Sequence, residues 1–429
     1  MFQTFRNAWK IPELKNRLLF TLAILVVYRL GCAIPVPFVS GSALTQMFSN
    51  GNMLTYLDMM SGGALSRCTL FALGVTPYIN ASIIVQLLTV AIPSLENIAK
   101  EPDGQQKLQQ ITRYAGGIIA LIMSLGYYFV VRNMGALKYT SGAAGIFTAV
   151  VIIATFTAGA QLITWCGEQI DDKGIGNGIS LIIMIGIVAR LPQALLAEFS
   201  ARVSTSTGSL IMFVVELVIL FLVFMVTIAV VQAVRKVPVQ YAKRVIGNKQ
   251  YGGVRQYIPL KMNAANVMPI IFAQALMFIP ALFSGTAFAA AFSSMTGFWY
   301  NFTLAVLVIA FTYFYTAIII NPQMMADDMK RNGGFIPGVK PGKQTVNYID
   351  TIMTRITLPG SFFLAIVAIL PALAMKFLGI QQSFAYFYGG TSLLIMVGVV
   401  LDTLKQIESY LLMRHYDGLM KTGRIQGRH

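Results

Sequence analysis

Few side chains in these 429 residues could carry out covalent chemistry. Glu168, Asp171 and Asp172 fall close together, and neighbouring carboxylates can serve as general acid and base. They stand beside Lys173 in a short polar break between apolar runs, where a solvated turn explains them as well. Cys32, Cys68 and Cys166 are odd in number, scattered and without C-x-x-C spacing. That pattern gives neither a disulfide framework nor a zinc site, so the thiols read as small apolar filler. The two histidines, His415 and His429, lie in the polar C-terminal stretch. No HExxH, GxSxG or Walker A pattern occurs, and no GxGxxG has the flanks it needs. Among the few charges inside apolar runs, Arg29 and Glu216 stand out. Ionisable groups at membrane depth are functional candidates by default, but each also has a structural reading. Arg29 could bond a backbone carbonyl, and Glu216, near a helix end, could snorkel or pair. An ion-coupled transporter would need more mid-membrane carboxylates than these. No cofactor or metal is expected, and no enzyme.

The elements that hold these residues are set by composition. Hydrophobic residues make up 56% of the chain and charged residues only 11%, against roughly 25% charged in a soluble domain. A water-soluble globule, a disordered chain and a coiled coil are excluded together. A helix needs about 20 apolar residues to cross a ~30 Å hydrocarbon core. Ten such runs occur, at 18–38, 74–92, 113–131, 146–166, 178–196, 209–231, 264–285, 302–320, 358–378 and 387–404. The first follows Lys15 and Arg17 and is long enough to stay in the membrane rather than act as a short cleavable leader. Pro77, Pro93, Pro269, Pro280 and Pro371 fall in or at the ends of runs. Such breaks survive in lipid when neighbouring helices or water satisfy the freed backbone groups.

The net charge of +16 is mostly topological. Alternate loops carry 25 Lys and Arg on one side of the predicted membrane and 6 on the other, with Arg29 inside a span. The positive-inside rule puts both termini and the two long basic loops in the cytoplasm. Five spans before residue ~200 and five after it imply halves inserted in opposite orientation, the arithmetic of an inverted repeat around a central path. The chain is therefore expected to be an all-α polytopic membrane protein of ten helices.

Three segments stand out. Residues 53–73 are too polar to span, carry Asp58 and Arg67, and are broken by Gly62 and Gly63. They suggest a half-helix folded back into a hydrated cavity from the outer side, with a surface loop as the plainer alternative. Residues 232–263 alternate apolar and polar after Arg235, as a cytosolic β-hairpin would. Residues 321–357 contain a turn-rich stretch from Asn332 to Gly342, then Val346, Ile349, Ile352, Met353 and Ile356 at helical spacing with Arg355 beside them. Loops this long with their own structure are usually functional. Docking of a cytosolic partner is favoured over contact of basic residues with lipid headgroups.

A resemblance rests on six motifs in order: Ser61-Gly-Gly-Ala-Leu-Ser66; Phe71-Ala-Leu-Gly-Val-Thr-Pro-Tyr-Ile-Asn-Ala-Ser82; Gly167-Glu-Gln-Ile170 with Gly174-Ile-Gly-Asn-Gly-Ile-Ser180; Tyr241-Ala-Lys-Arg244; Phe335-Ile-Pro-Gly338; and Gly389-Gly-Thr-Ser-Leu-Leu-Ile395. Together they resemble the SecY family, the channel subunits of the Sec protein translocase, over essentially the whole chain. The resemblance implies a clamshell of two halves, 1–196 and 209–404, hinged by 197–208, with a cytosolic tail at 405–429. It implies a passive channel in the bacterial cytoplasmic membrane that moves unfolded secretory polypeptides and releases hydrophobic segments sideways into lipid. A secondary transporter of a small solute is the alternative.

The same resemblance places a plug at about 58–72, within it Asp58, Ser61, Gly62, Gly63, Ala64, Leu65, Ser66, Arg67, Cys68 and Leu70. It assigns an apolar pore ring to Val75, Ile79, Ile179, Ile183, Ile271 and Ile395, and a lateral gate to Asn80 and Gln274. Partner docking falls on Arg235, Lys236, Lys243, Arg244 and Arg355. The implied partners are the small membrane subunits SecE and SecG, the motor ATPase SecA, the ribosome, nascent chains and the lipid bilayer. Residues 97–112 are less basic than the family's pattern.

Overall fold

The computed structural model describes residues 9, 11–39, 63–101, 103–133, 135–139, 142–205, 207–241, 244–246, 249–251, 255–265, 267–277 and 296–422. Every one of the ten apolar runs contains a helix. In chain order these are α1 (Pro12–Gly31), α2 (Thr76–Ala91), the short α3 (Pro93–Lys100), α4 (Gly104–Asn133), α5 (Gly142–Lys173), α6 (Gly178–Thr205) and α7 (Thr207–Gln232). Strands β1 (Val234–Tyr241), β2 (Arg244–Ile246), β3 (Lys249–Tyr251) and β4 (Arg255–Lys261) follow. Then come α8 (Met268–Leu276), α9 (Phe298–Ile319), α10 (Pro322–Arg331), β5 (Gly334–Phe335), α11 (Lys343–Leu378), the turn α12 (Gln382–Ala385) with a 3-10 turn to Tyr388, and α13 (Gly390–Thr422). Among the described residues, seven helices are long and apolar enough to cross a membrane, and α2 with α3 forms a pair bent by 104°. Pro93 opens α3 and makes that bend.

The chain forms two compact units, Met1–Gln193 with Val399–His429, and Ala194–Gly398. In the first, segment 63–75 lies inside the core. Leu65, Cys68, Ala72 and Leu73 pack with Ala120, Tyr127, Tyr128 and Val131 of α4 and Ile152, Phe156 and Ala160 of α5. A second cluster joins Leu14 of α1, Ile175 and Ile407 of α13. Glycines make the helix contacts close: a Cβ on Gly178 would stand 2.1 Å from the Gly167 carbonyl oxygen. In lipid, where burial against apolar solvent drives little, such small-residue contacts let backbones approach and gain dispersion.

In the second unit Ile270 and Ala273 of α8, Leu304 and Val308 of α9, Leu364 and Ala368 of α11, and Leu393 and Leu394 of α13 form the core. Ile211, Val214, Val218, Phe221, Leu222 and Met225 of α7 are all exposed. An apolar face that wide is a lipid surface.

The same unit carries a β-sheet of order β4-β1-β5. The predicted hairpin is there, antiparallel, with Val237 opposite Ile258. The sequence did not reveal its third strand: Gly334 and Phe335 pair with Tyr241 and Gln240. One apolar core of Val237, Val239, Leu260, Met329, Ile336, Ile349 and Met353 fuses the two long loops into a single body. The helical stripe expected from Val346 is the start of α11. That helix continues through the predicted span, ~54 Å at ~1.5 Å per residue.

Two expectations change. Residues 197–205 continue α6 as helix rather than loop, because Ala197, Glu198, Ala201 and Arg202 are helix formers and Arg202 bonds Glu198 one turn back. Residues 63–75 are a run of turns rather than a half-helix. Gly63, Cys68 and Gly74 have φ of +87°, +46° and +56°, in the left-handed region that no right-handed helix contains.

Candidate functional site

The best-built site in the first unit is the seat of segment 63–75. After α1 the chain runs beside it: the Val36 N–H donates to the Cys68 carbonyl (2.8 Å) and the Leu70 N–H to the Ile34 carbonyl (2.9 Å). Thr69 donates to the Ala64 carbonyl through its N–H (3.1 Å) and its hydroxyl (3.2 Å). Ser66 Oγ donates to the Gly63 carbonyl (3.3 Å). Tyr127 of α4 donates its hydroxyl proton to the Leu65 carbonyl at 2.6 Å, and Cys68 Sγ lies 3.1 Å from the same hydroxyl. Phe71 stacks on Tyr28 with centroids 5.8 Å apart. Two glycines let the segment in. A Cβ at Gly159 of α5 would stand 2.0 Å from the Leu70 carbonyl oxygen, and one at Gly31 the same distance from the Phe71 ring. A Cβ at Gly63 would stand 2.5 Å from Arg190 Nη2.

Of the expected plug residues, Gly63, Ala64, Leu65, Ser66 and Cys68 are buried, Leu70 is half-buried and Arg67 is exposed. Asp58, Ser61 and Gly62 lie outside the described residues. The segment leads straight into Val75, which precedes α2, and Ile79, whose N–H bonds the Val75 carbonyl.

The expected ring divides between the units: Val75, Ile79, Ile179 and Ile183 in the first, Ile271 and Ile395 in the second. Val75 and Ile395 are buried and the other four half-buried. Ile179 touches Gly167 of α5 closely enough to leave no room for a Cβ there. Asn80 on α2 and Gln274 on α8 are half-buried, and among the described residues Gln274 Oε1 has no hydrogen-bond partner. Arg235 and Lys236 on β1 and Arg355 on α11 are exposed. Arg244 stands on β2, and Lys243 lies outside the described residues.

Two of the three carboxylates at 168–172 are used structurally. Asp171 Oδ1 accepts from the Gly178 N–H (2.7 Å) at the start of α6, and Glu168 lies 3.4 Å from Arg113. Asn177 Oδ1 caps the same helix by accepting from Ser180 N–H (3.0 Å).

In the second unit Glu216 is paired. Arg202 donates from Nη2 to Glu216 Oε1 (2.6 Å) and from Nε to Glu198 Oε1 (2.9 Å). The same Nη2 reaches the carbonyls of Leu378 (2.8 Å) and Gly379 (3.0 Å), where α11 ends. Glu198 Oε2 accepts from the Gln381 N–H (2.8 Å), and the Tyr388 hydroxyl donates to the Glu216 carbonyl (2.8 Å). Side chains of Glu198 and Glu216 are 1% and 0% exposed. Arg29 differs: its Nη1 is buried with no hydrogen-bond partner among the described residues.

Long apolar helices with bare lipid faces, joined to a basic water-facing sheet, define a polytopic membrane protein. The chain belongs to the SecY family, whose model matches residues 69–404. It is 42% identical over 448 residues to the protein translocase subunit SecY of Streptomyces scabiei, covering 98% of this chain and 100% of the relative. The Mycobacterium tuberculosis H37Rv subunit is 40% identical with the same coverage. The fold is similar to a solved protein-conducting channel, with TM-score 0.65 at 18% identity and 93% of each chain covered. It is also similar to Sec61 in a canine ribosome-channel complex from the endoplasmic reticulum, with TM-score 0.61 at 17% identity and 93% of each chain covered. The chain is a protein translocation channel of a membrane.

Proposed function

We propose that the channel passes unfolded secretory polypeptides across the bacterial cytoplasmic membrane and releases hydrophobic segments sideways into lipid. One observation carries the reading. Segment 63–72 lies in the core of its unit yet is fastened by neutral hydrogen bonds and turns, shortly ahead of the apolar residues Val75 and Ile79. A part so placed is a plug that seals at rest and can leave.

Val75, Ile79, Ile179, Ile183, Ile271 and Ile395 are proposed as the constriction. An apolar girdle excludes water and ions by dewetting, and offers a passing backbone no hydrogen-bond partner, so it grips no particular sequence. Branched side chains on several helices yield and reclose. The halves 1–196 and 209–404 part about 197–208. Asn80 and Gln274 line the seam that a hydrophobic signal displaces.

The pore has no energy source of its own in this reading and catalyses no reaction. Drive comes from the motor ATPase SecA or from a translating ribosome. Arg235, Lys236, Lys243, Arg244 and Arg355 receive them; phosphate contacts on ribosomal RNA are sequence-blind and salt-sensitive. The exposed cations on one fused cytosolic body support this, as does the ribosome-bound state of the Sec61 structure. SecE and SecG are the proposed membrane partners, and both termini are cytoplasmic by the charge count.

The test is a photo-crosslinker at Ile79 or Ile183 with a secretory chain trapped in transit. Crosslinks to that chain are expected; labelling by a small solute with no crosslink to the polypeptide contradicts the reading.

A further inference from the structure

One side chain of α4, Tyr127, bonds the segment at two places. Tyr127 sits on α4 with its ring edge-on to Phe156, centroids 5.2 Å apart, so the phenol is fixed by packing. Its single proton goes to the Leu65 carbonyl at 2.6 Å. The 3.1 Å contact with Cys68 Sγ must then be the thiol donating to the phenol oxygen. The result is a relay, Cys68 S–H to Tyr127 O–H to Leu65 carbonyl, in a site where Cys68 is 1% exposed and Leu65 6%. Cys68 also has φ +46°, a conformation that disfavours a residue with a Cβ and needs surrounding bonds to persist.

We propose that Tyr127 is the latch of the plug: a positioning residue that sets the closed state by holding residues 65 and 68, and that releases them as one unit when the plug leaves. The proposal rests on the plug reading above and adds the residue that governs it. Two features make the relay a latch rather than general core packing. Both ends lie on the segment that must move, so one hydroxyl controls its seating. The bonds are neutral, so breaking them leaves no buried charge. The backbone bonds to Ile34 and Val36 reach Leu70 and Cys68, so the Leu65 carbonyl is held from α4 by the Tyr127 hydroxyl.

The experiment uses the full channel complex in proteoliposomes, with Cys32→Ala and Cys166→Ala so that Cys68 is the only thiol of this chain. A membrane-impermeant maleimide is added from the outer side, and ion leak is recorded in parallel. Tyr127→Phe keeps the ring and removes the hydroxyl. It is expected to raise the resting labelling rate of Cys68 and the leak about ten-fold, the change one buried hydrogen bond of ordinary strength gives. Ser124→Ala removes a hydroxyl on the same helix that bonds Ala120 and Thr157 instead, and is expected to change neither. Cys68→Ala, read by leak alone, keeps the Leu65 bond and is expected to leak less than Tyr127→Phe.

Resting labelling and leak in Tyr127→Phe equal to the parent, while a trapped secretory chain still exposes Cys68, overturns the latch and leaves the plug intact. Cys68 that stays protected with a chain trapped, in parent and variant alike, overturns the plug reading itself. Equal increases in Ser124→Ala and Tyr127→Phe reduce Tyr127 to ordinary packing and also overturn the latch.

Discussion

Two buried polar clusters fasten this molecule, and they are built from opposite chemistry. Around Leu65 and Cys68 the bonds made by Ser66, Cys68, Thr69, Tyr127 and the backbone are neutral, the donors being a phenol, a thiol, hydroxyls and amides. Around Arg202 the bonds are charged: one guanidinium holds two buried carboxylates and the carbonyl end of α11. Opening a neutral bond between buried groups changes stability by about 1 kcal/mol each. Separating buried ions leaves an uncompensated charge, and losing one partner costs about 3–5 kcal/mol. The difference assigns roles. The neutral seat suits a part that leaves and returns, and the ionic clamp suits a joint that must not open.

The largest effect should follow Arg202→Leu. With Glu198 and Glu216 left buried and unpaired, the second unit should lose about 3–5 kcal/mol. Thermal unfolding in detergent and the yield of folded chain would show it. A variant of parental stability would break the comparison at its charged end.

Gly159→Val comes next. A side chain there meets the Leu70 carbonyl, and overpacking of this kind costs about 1–3 kcal/mol. Here the segment can move instead, so the penalty should appear as ion leak and faster Cys68 labelling with little loss of folded yield.

Gly63→Ala combines a left-handed φ, about 1–2 kcal/mol for a residue with a Cβ, with a push against Arg190. It should leak in the same direction but less. Asn80→Leu with Gln274→Leu is the smallest change, since both side chains are half-buried and Gln274 Oε1 has no hydrogen bond to lose among the described residues. Export of a protein with a weakened signal should rise while export of an ordinary one stays level. Unchanged selectivity would remove both residues from the gate.

The spans were legible because about 20 apolar residues in lipid permit one local structure, and each predicted run holds a helix. The hairpin within 232–263 was legible from its alternation. The fusion of the two long loops was not, since two residues, Gly334 and Phe335, make the third strand and no periodicity marks so short an element.

Segment 63–75 was legible as special through Gly63 and Gly74 but not in conformation. A non-glycine at positive φ, Cys68, leaves no trace in composition. Tyr127 looked like one aromatic among many in an apolar run, and only its partner carbonyl sets it apart. Arg202 was hidden by its place in an expected loop. Its i,i+4 spacing from Glu198 was the available signal, and continuing the helix past residue 196 would have exposed it. Glu216 stood out as a charge in a span, but its partner lies fourteen residues earlier.

The comparison is tested most directly by reading both fasteners in one molecule. Cys68 serves at the neutral seat, and Gln381→Cys, beside the clamp, serves at the other. Maleimide labelling of each is followed before and after a secretory chain is trapped in the channel. The expected result is that Cys68 becomes reactive while position 381 keeps its resting rate. Labelling that rises equally at both positions, or at 381 alone, would contradict the account.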